Sequence, residues 1–515
     1  MSGHSKRCVL LVVDALSVEI VKSFIDMQRL PNLARLVAEG GALRGCHSIF
    51  PSITPAATCS IITGAYPAEH GIEGAFWFDR SNQDIAYFGD DLSVAREQGL
   101  YDYLVDFGDR LNFDRLAAPT LFRLLDDQGI DAACVNYMWF AGPHQHQRVT
   151  PLALRLGVGT LPETVQGPKY LKLGSFVESL PEGVPKQADP SILNRYGFSD
   201  QVTADCLLDL ARADALPEMT VGYFPENDDL GHVEGLVDAA DTALTRFDAF
   251  LGEFIEILGG WETLGKTLDL VIVGDHSQVE FGDNGPRVLQ VDEALEAFQQ
   301  ATVGKGWQDD DQIFICPNMR AAAIYPRDVD DASLRQRIVQ TLVSLDEVDQ
   351  VIHQDDDGTL QIETSDRGRL AFRPATADDD VCGVDAFGNR WWFQGELETV
   401  GCSLNESGEL VDQEYPNPLE RLRGGFHPGA RPIWITARTD SEFGIQGVHT
   451  HAGGSHGSLH AVDTQAAVLV SSGIDLSVLA NPDRPRIVDI VTLCQNALGD
   501  RSPSSADVRR PAAAG

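Results

Sequence analysis

The chain has 515 residues, 43% apolar and 23% charged, which suits one large α/β domain carrying a second, inserted one and excludes a fibrous or disordered protein. Its 77 acidic against 39 basic residues give a formal net charge of -38, which argues against a nucleic-acid duplex as partner. A chain this acidic that handles an anion must make positive charge locally. Few Lys or Arg residues stand near the motifs below, so bound metal ions are the natural source.

Cys8 to Val13 is a continuous apolar run ending at Asp14, the pattern of a strand buried on both faces. It is too short for a secretory or membrane-spanning segment, and no other window reaches membrane length. Nine scattered Cys with no CxxC pair fit free thiols in a reducing cytosol, so a cytoplasmic protein without a membrane partner is expected. Pro31 to Val37 reads as a helix stopped by Gly40 and Gly41. Ala56 to Ile62 reads as a second helix, ended by Gly64. Thr120 to Leu125 (helix), Ala132 to Val135 (strand), Thr220 to Phe224 (strand), Leu236 to Leu258 (helix) and Leu268 to Val273 (strand) continue the alternation. Such alternation predicts right-handed βαβ units and a mainly parallel sheet with helices on both faces.

From about Glu280 to Arg431 the pattern breaks, which predicts a smaller inserted α+β domain. The expected division is a core of 1–280 and 432–502, an inserted cap or substrate domain of 281–431, and a disordered tail of 503–515. Pro432 to Ala437 and Ala466 to Val470 are expected as returning core strands. Trp391, Trp392 and Phe393, with Arg367, Arg369 and Arg373, are expected either to wall the substrate pocket or to form the insertion's own core.

Five short blocks carry chemistry. Asp14 ends the first strand, where sites form in open α/β sheets, although an Asp there is also an ordinary helix cap. In FPSITPAATCSIITGAYPAEHGI, Thr54 sits where a helix begins near Pro55; it suits a phosphoryl group and would equally serve as an N-cap. His70 in the same block reads as structural. In YFPENDDLGHVEG, Asp228 and His232 stand four apart on a glycine-containing loop, a carboxylate and imidazole set suited to zinc or a similar ion. Asp275 and His276 end another strand, and His456 lies in a glycine-rich stretch, THAGGSHGSLHAVDT.

In order and context these blocks resemble the type I phosphodiesterase/nucleotide pyrophosphatase branch of the alkaline phosphatase superfamily. The matching elements are Asp14, PSIT with Thr54, TGAYPAEHGI, NDDLGH, DHS and SHGS. The resemblance implies an alkaline phosphatase-like three-layer α/β/α sandwich. It also implies metal-dependent hydrolysis of a small-molecule phosphate ester, a phosphodiester or pyrophosphate before a monoester, through a phospho-threonine intermediate at Thr54. Two divalent cations, zinc or else manganese, would be held by Asp228, His232 and His456, and by Asp14, Asp275, His276 and the Thr54 oxygen.

Three departures stand out. Ala57 replaces an Asn that grips phosphate in relatives, leaving Thr58 as a weaker donor; Ser277 replaces the Gly of DHG; and Asn227 replaces a Pro. Trp77 beyond the nucleophile block is a candidate substrate contact or a core residue. Other readings of the same fold are a phosphomonoesterase, a phosphosugar mutase, which would commonly use Ser, and a sulfatase, which would need a CxPxR-type block that this chain lacks. A non-catalytic metal-binding scaffold is a reading from another class.

Overall fold

The computed structural model describes residues 6–499 except 80–82, 90–93, 95–98, 158, 187–191, 283, 304–305, 380–381, 428 and 430. The expected tail, 503–515, lies outside the described residues.

Two eight-stranded sheets organise the described chain. The central sheet is built from β1 (Arg7–Val13), β2 (Ala42–His47), β3 (Ala132–Val135), β4 (Tyr170–Leu173), β5 (Val177–Ser179), β6 (Met219–Phe224) and β7 (Leu268–Val273). The second sheet follows with β8 (Ile313–Asn318), β9 (Ala321–Pro326), β10 (Val348–Gln354), β11 (Leu360–Glu363), β12 (Arg369–Pro374), β13 (Cys382–Val384), β14 (Arg390–Gly395) and β15 (Ile433–Ala437). Then β16 (Gln465–Val470) returns to the central sheet. The central order is β2-β16-β7-β1-β6-β3-β4-β5. The inner strands β7, β1, β6, β3 and β4 run parallel, and β16, β2 and β5 are antiparallel to their neighbours.

The strands β1, β6 and β7 are apolar almost throughout because helices cover both faces. Val9, Leu11 and Val13 face one layer, with α1 (Val18–Asp26), α2 (Pro31–Ala38), α4 (Asp200–Arg212) and α6 (Leu236–Ile257). Leu10 and Val12 face the other, with α3 (Thr54–Thr63) and α7 (Ile490–Leu498), and this second core runs on into the antiparallel sheet. Helix α3 is buried at every position from Pro55 to Thr63, and Gly64 ends it in the left-handed conformation, φ 69°.

The second sheet has the order β8-β9-β15-β10-β11-β12-β14-β13. Residues 433–437 therefore pair with β9 and β10 and do not rejoin the central sheet as expected. A five-residue apolar run is equally at home buried in either sheet, and periodicity cannot tell the two apart. Ala466–Val470 does rejoin the central sheet, beside β7.

Trp391 and Phe393 are buried within the second sheet, Trp391 edge-on to Phe372. Arg367 pairs with Asp349, Arg369 with Glu363, and Arg373 with Asp379 while stacking on Trp392. These groups build the sheet itself, and none of them lines the main cleft.

Candidate active site

The functional side chains converge because β1 lies between β6 and β7 in parallel register: Val13 pairs with Phe224 and Val12 with Val273. Three neighbouring strands thus deliver their carboxyl ends to one place. Asp14 leaves β1, Asp275 and His276 leave β7, and β6 leads through Pro225 into α5 (Glu226–Glu234). Asp228 and His232 sit on that helix and not on a loop, so a spacing of four puts them on one face, with Asp228 Oδ2 3.1 Å from His232 Nε2.

Thr54 is the first residue of α3, preceded by extended Ile53 and followed by Pro55 in the first turn. Its hydroxyl does not cap the helix. Oγ1 instead lies 2.9 Å from Nε2 of His276. That same Nε2 is 3.4 Å from Asp14 Oδ1 and 3.3 Å from Asp275 Oδ2. His456 arrives from the late glycine loop, with Nε2 3.6 Å from Asp228 Oδ1 and its ring stacked on that of His276 at 3.6 Å. The glycines permit this approach. A Cβ on Gly453 would lie 2.6 Å from the Gly235 nitrogen, and Gly457 adopts φ 120°.

Two triads present one ligand atom each within 4.8 Å of one another: Asp228, His232 and His456, and Asp14, Asp228 and His276. The first is the expected set. In the second, Asp228 stands where Asp275 was expected, and Asp275 flanks it through its contact with His276.

Each histidine has Nδ1 hydrogen-bonded to a backbone carbonyl, His232 to Gly454 at 2.8 Å, His276 to Ser277 at 3.1 Å and His456 to Ser52 at 2.7 Å. This leaves every Nε2 for the cluster. Asp14 Oδ1, Asp275 Oδ2, His232 Nε2 and His456 Nε2 are buried without a hydrogen-bond partner. Orphaned buried polar atoms cost about 1–3 kcal/mol each. Four of them in one cluster of oxygen and imidazole donors fit divalent cations of the zinc type.

The charge balance agrees. Burial, with Asp275 and Asp228 nearby, holds the Asp14 carboxyl well above its ordinary range, and burial raises Asp275 as well. Burial also opposes the charge on Asp228, but His232, His456 and His276 outweigh it and bring that carboxyl below its usual range. His232 answers burial with the Asp228 partnership and rises to about 9. Burial, then His276, holds His456 well below its usual value. A cation among these ligands would relieve the carboxylate repulsion.

Several supporting residues carried no recognisable signal. The Tyr223 hydroxyl donates to Asp14 Oδ2, and Gln278 Nε2 donates to Asp228 Oδ1. Asn227, the departure from the family's Pro, donates to the carbonyls of Asp14 at 2.9 Å and Ala15 at 3.1 Å, pinning the turn after β1 where Ala15 has φ 51°. His451 stacks near His232, centroids 4.1 Å apart, and holds buried Glu442 through Nδ1 at 2.6 Å.

Two expected substrate contacts are elsewhere. Thr58 is buried; its hydroxyl donates to the Thr54 carbonyl and accepts from Trp139 Nε1 at 3.0 Å. Trp77 is core, stacked on Phe88. His70 is structural as expected, joined to Ser60 Oγ and accepting from the Ile72 amide.

Beside the cluster opens a cleft of about 510 Å³ that includes Asp14, Thr54, Asp228, His232 and His456 in its lining. Its walls come mainly from residues 88–225, and Met319 is the lining residue that the second sheet region supplies. Of the two roles expected for the insertion's aromatic and Arg side chains, walling the pocket or forming the insertion's own core, the structure shows the second: those groups are consumed in the packing and ion pairs of their own sheet.

Comparison with known proteins agrees with this arrangement. Phosphonoacetate hydrolase from Sinorhizobium meliloti 1021, solved with phosphonoformate, is 16% identical with a TM-score of 0.55, covering 96% of this chain and 97% of the other. Murine ectonucleotide pyrophosphatase/phosphodiesterase 5 is 12% identical with a TM-score of 0.54, covering 96% and 95%. The human protein of that name is 13% identical with a TM-score of 0.55, covering 96% and 95%. At these identities the likeness establishes the alkaline phosphatase-like fold. The family model described as type I phosphodiesterase / nucleotide pyrophosphatase matches residues 8–370, and the chain belongs to that family of phosphoric ester hydrolases.

Proposed function

We propose that the protein hydrolyses a small-molecule phosphate ester, a phosphodiester or pyrophosphate before a monoester, through a phospho-threonine intermediate on Thr54. The observation that carries the reading is the Thr54 hydroxyl, free of capping duty, 2.9 Å from His276 Nε2 at the mouth of a helix and beside two metal-competent triads.

Two divalent cations, taken to be zinc, would supply the positive charge that binds a phosphoryl oxygen and favours ionisation of a hydroxyl. Asp228, His232 and His456 would hold one, and Asp14, Asp275, His276 and Thr54 the other. Thr54 Oγ attacks phosphorus in line and expels the ester oxygen. Water then displaces the Thr54 oxygen from phosphorus and restores the hydroxyl. Asp14 and Asp228 are kept in position by Tyr223 and Gln278. The nine free cysteines support a reducing, cytoplasmic setting.

The test is chelator-treated protein reloaded with zinc or manganese and offered paired mono- and diesters of one phenol. Metal-dependent hydrolysis with the diester preferred is expected. Absence of hydrolysis with two equivalents of metal bound would contradict it.

A further inference from the structure

We propose that the ester group of the substrate is a bulky apolar alcohol moiety, seated against an aromatic wall, and not a nucleoside. This deepens the phosphoesterase reading and rests on it.

Four rings run in sequence along the cleft: Phe88 to Phe107 at 5.6 Å, Phe107 to Phe198 at 6.5 Å and Phe198 to Phe176 at 6.1 Å between centroids. All four are only partly buried, in contrast with the closed core of the sheet. Rings left partly exposed along a concave surface next to a reaction centre have apolar area to offer a ligand.

The polar side chains among them are already committed. Asn136 donates to the Gly197 carbonyl and Thr203 Oγ1 and accepts from the Gly174 amide. Tyr137 donates to the Thr58 carbonyl, and Tyr223 to Asp14. Arg148 is locked to Asp109 and the Pro162 carbonyl, and Arg195 is paired with Asp229. Among the described residues of the wall, then, both guanidinium groups are paired with carboxylates, and Asn136, Tyr137 and Tyr223 spend their polar groups on the protein itself.

A nucleoside there would set its donors and acceptors against rings that cannot pair with them. An apolar group would gain roughly 0.8 kcal/mol per buried methylene. The cleft, about 510 Å³, is far larger than a phosphoryl group requires and within the range that holds whole organic ligands.

The experiment uses the metal-loaded full chain and a series of p-nitrophenyl alkyl phosphates, from methyl through butyl to octyl, with the p-nitrophenyl ester of thymidine monophosphate beside them. The leaving group is constant, so the alkyl chain alone varies. We expect kcat/KM to rise roughly twofold to fourfold per methylene over the first several carbons, and the octyl ester to exceed the nucleotide. In Phe107→Asn and Phe198→Asn the ratio of octyl to methyl kcat/KM should fall at least about tenfold. That ratio is internal to each variant and independent of its folded fraction. Methyl ester hydrolysis with no chain-length dependence, or a nucleotide preferred over octyl, would overturn the proposal while leaving phosphoester hydrolysis standing. Hydrolysis of no ester would overturn both.

Discussion

A threonine hydroxyl at the start of a helix ordinarily satisfies a backbone amide, and Thr54 does not. Its loss should therefore cost the fold less than about 1 kcal/mol. Thr54→Ala should reduce kcat by at least about 10³-fold with metal content nearly unchanged, since it deletes the nucleophile and leaves Asp14, Asp275 and His276 as the proposed ligands of that cation. Kinetics beside elemental analysis would check this, and a variant that kept wild-type turnover would remove Thr54 from the chemistry. Tyr223→Phe deletes one oxygen, the donor to Asp14. Supporting partners of this kind are worth about 10- to 100-fold in metal affinity. A zinc titration should register that loss, and an unchanged affinity would make the contact incidental. The convergence of Asp14, Thr54, Asp228, His232, Asp275, His276 and His456 was legible in the sequence from the order of their motifs, whose resemblance to the family carried what no single block could. Tyr223 was not, because inside MTVGYF it is indistinguishable from ordinary strand packing, and its partner lies 209 residues away.

Among the elements, the alternating strands and helices up to Val273 were readable because a strand buried on both faces is a continuous apolar run. Residues 226–234 were not, because Gly231 and a cluster of acids resemble a loop; the structure instead continues β6 through Pro225 into a helix. Residues 433–437 were assigned to the wrong sheet because apolar runs carry no address. What ties that second sheet to the loop that carries His456 is Arg320. It is fully buried, its Nε is 2.9 Å from Asp463 Oδ2, and its amide donates to the His456 carbonyl. Arg320→Ala would strand Asp463 as an uncompensated buried charge, a loss of about 3–5 kcal/mol. Denaturant unfolding should show it as a lowered midpoint. A loss below 1 kcal/mol would mean that water reaches Asp463 in the variant.

For the molecule as a whole, buried histidines make one contribution to how stability responds to acid. Burial lowers both His47 and His70 to about 3, and both are core residues outside the metal-competent triads. In the unfolded chain each would titrate near 6.5. Above that value neither state binds the proton, and their contribution is present in full. As pH falls from 6.5 toward 3, the unfolded chain gains protons that the folded protein refuses, and stability declines. At pH 5.5 the loss is about 1.4 kcal/mol for each group. Asp200, raised by burial to about 8, acts in the opposite sense over the same range, so the test is a difference in denaturant unfolding: relative to the wild type, His70→Gln should gain about 1.4 kcal/mol between pH 7.5 and 5.5. Equal slopes in the two proteins would show that His70 is not held neutral.

In the proposed mechanism two displacements occur at phosphorus: Thr54 displaces the ester oxygen, and water then displaces the Thr54 oxygen. Each in-line displacement inverts configuration at phosphorus, so a threonine-bound intermediate gives net retention, whereas direct attack by water gives inversion. The deciding measurement is the hydrolysis, in heavy-oxygen water, of a phosphorothioate diester of known configuration by the metal-loaded enzyme. Net retention is the predicted result, and net inversion would contradict the account of Thr54 as nucleophile.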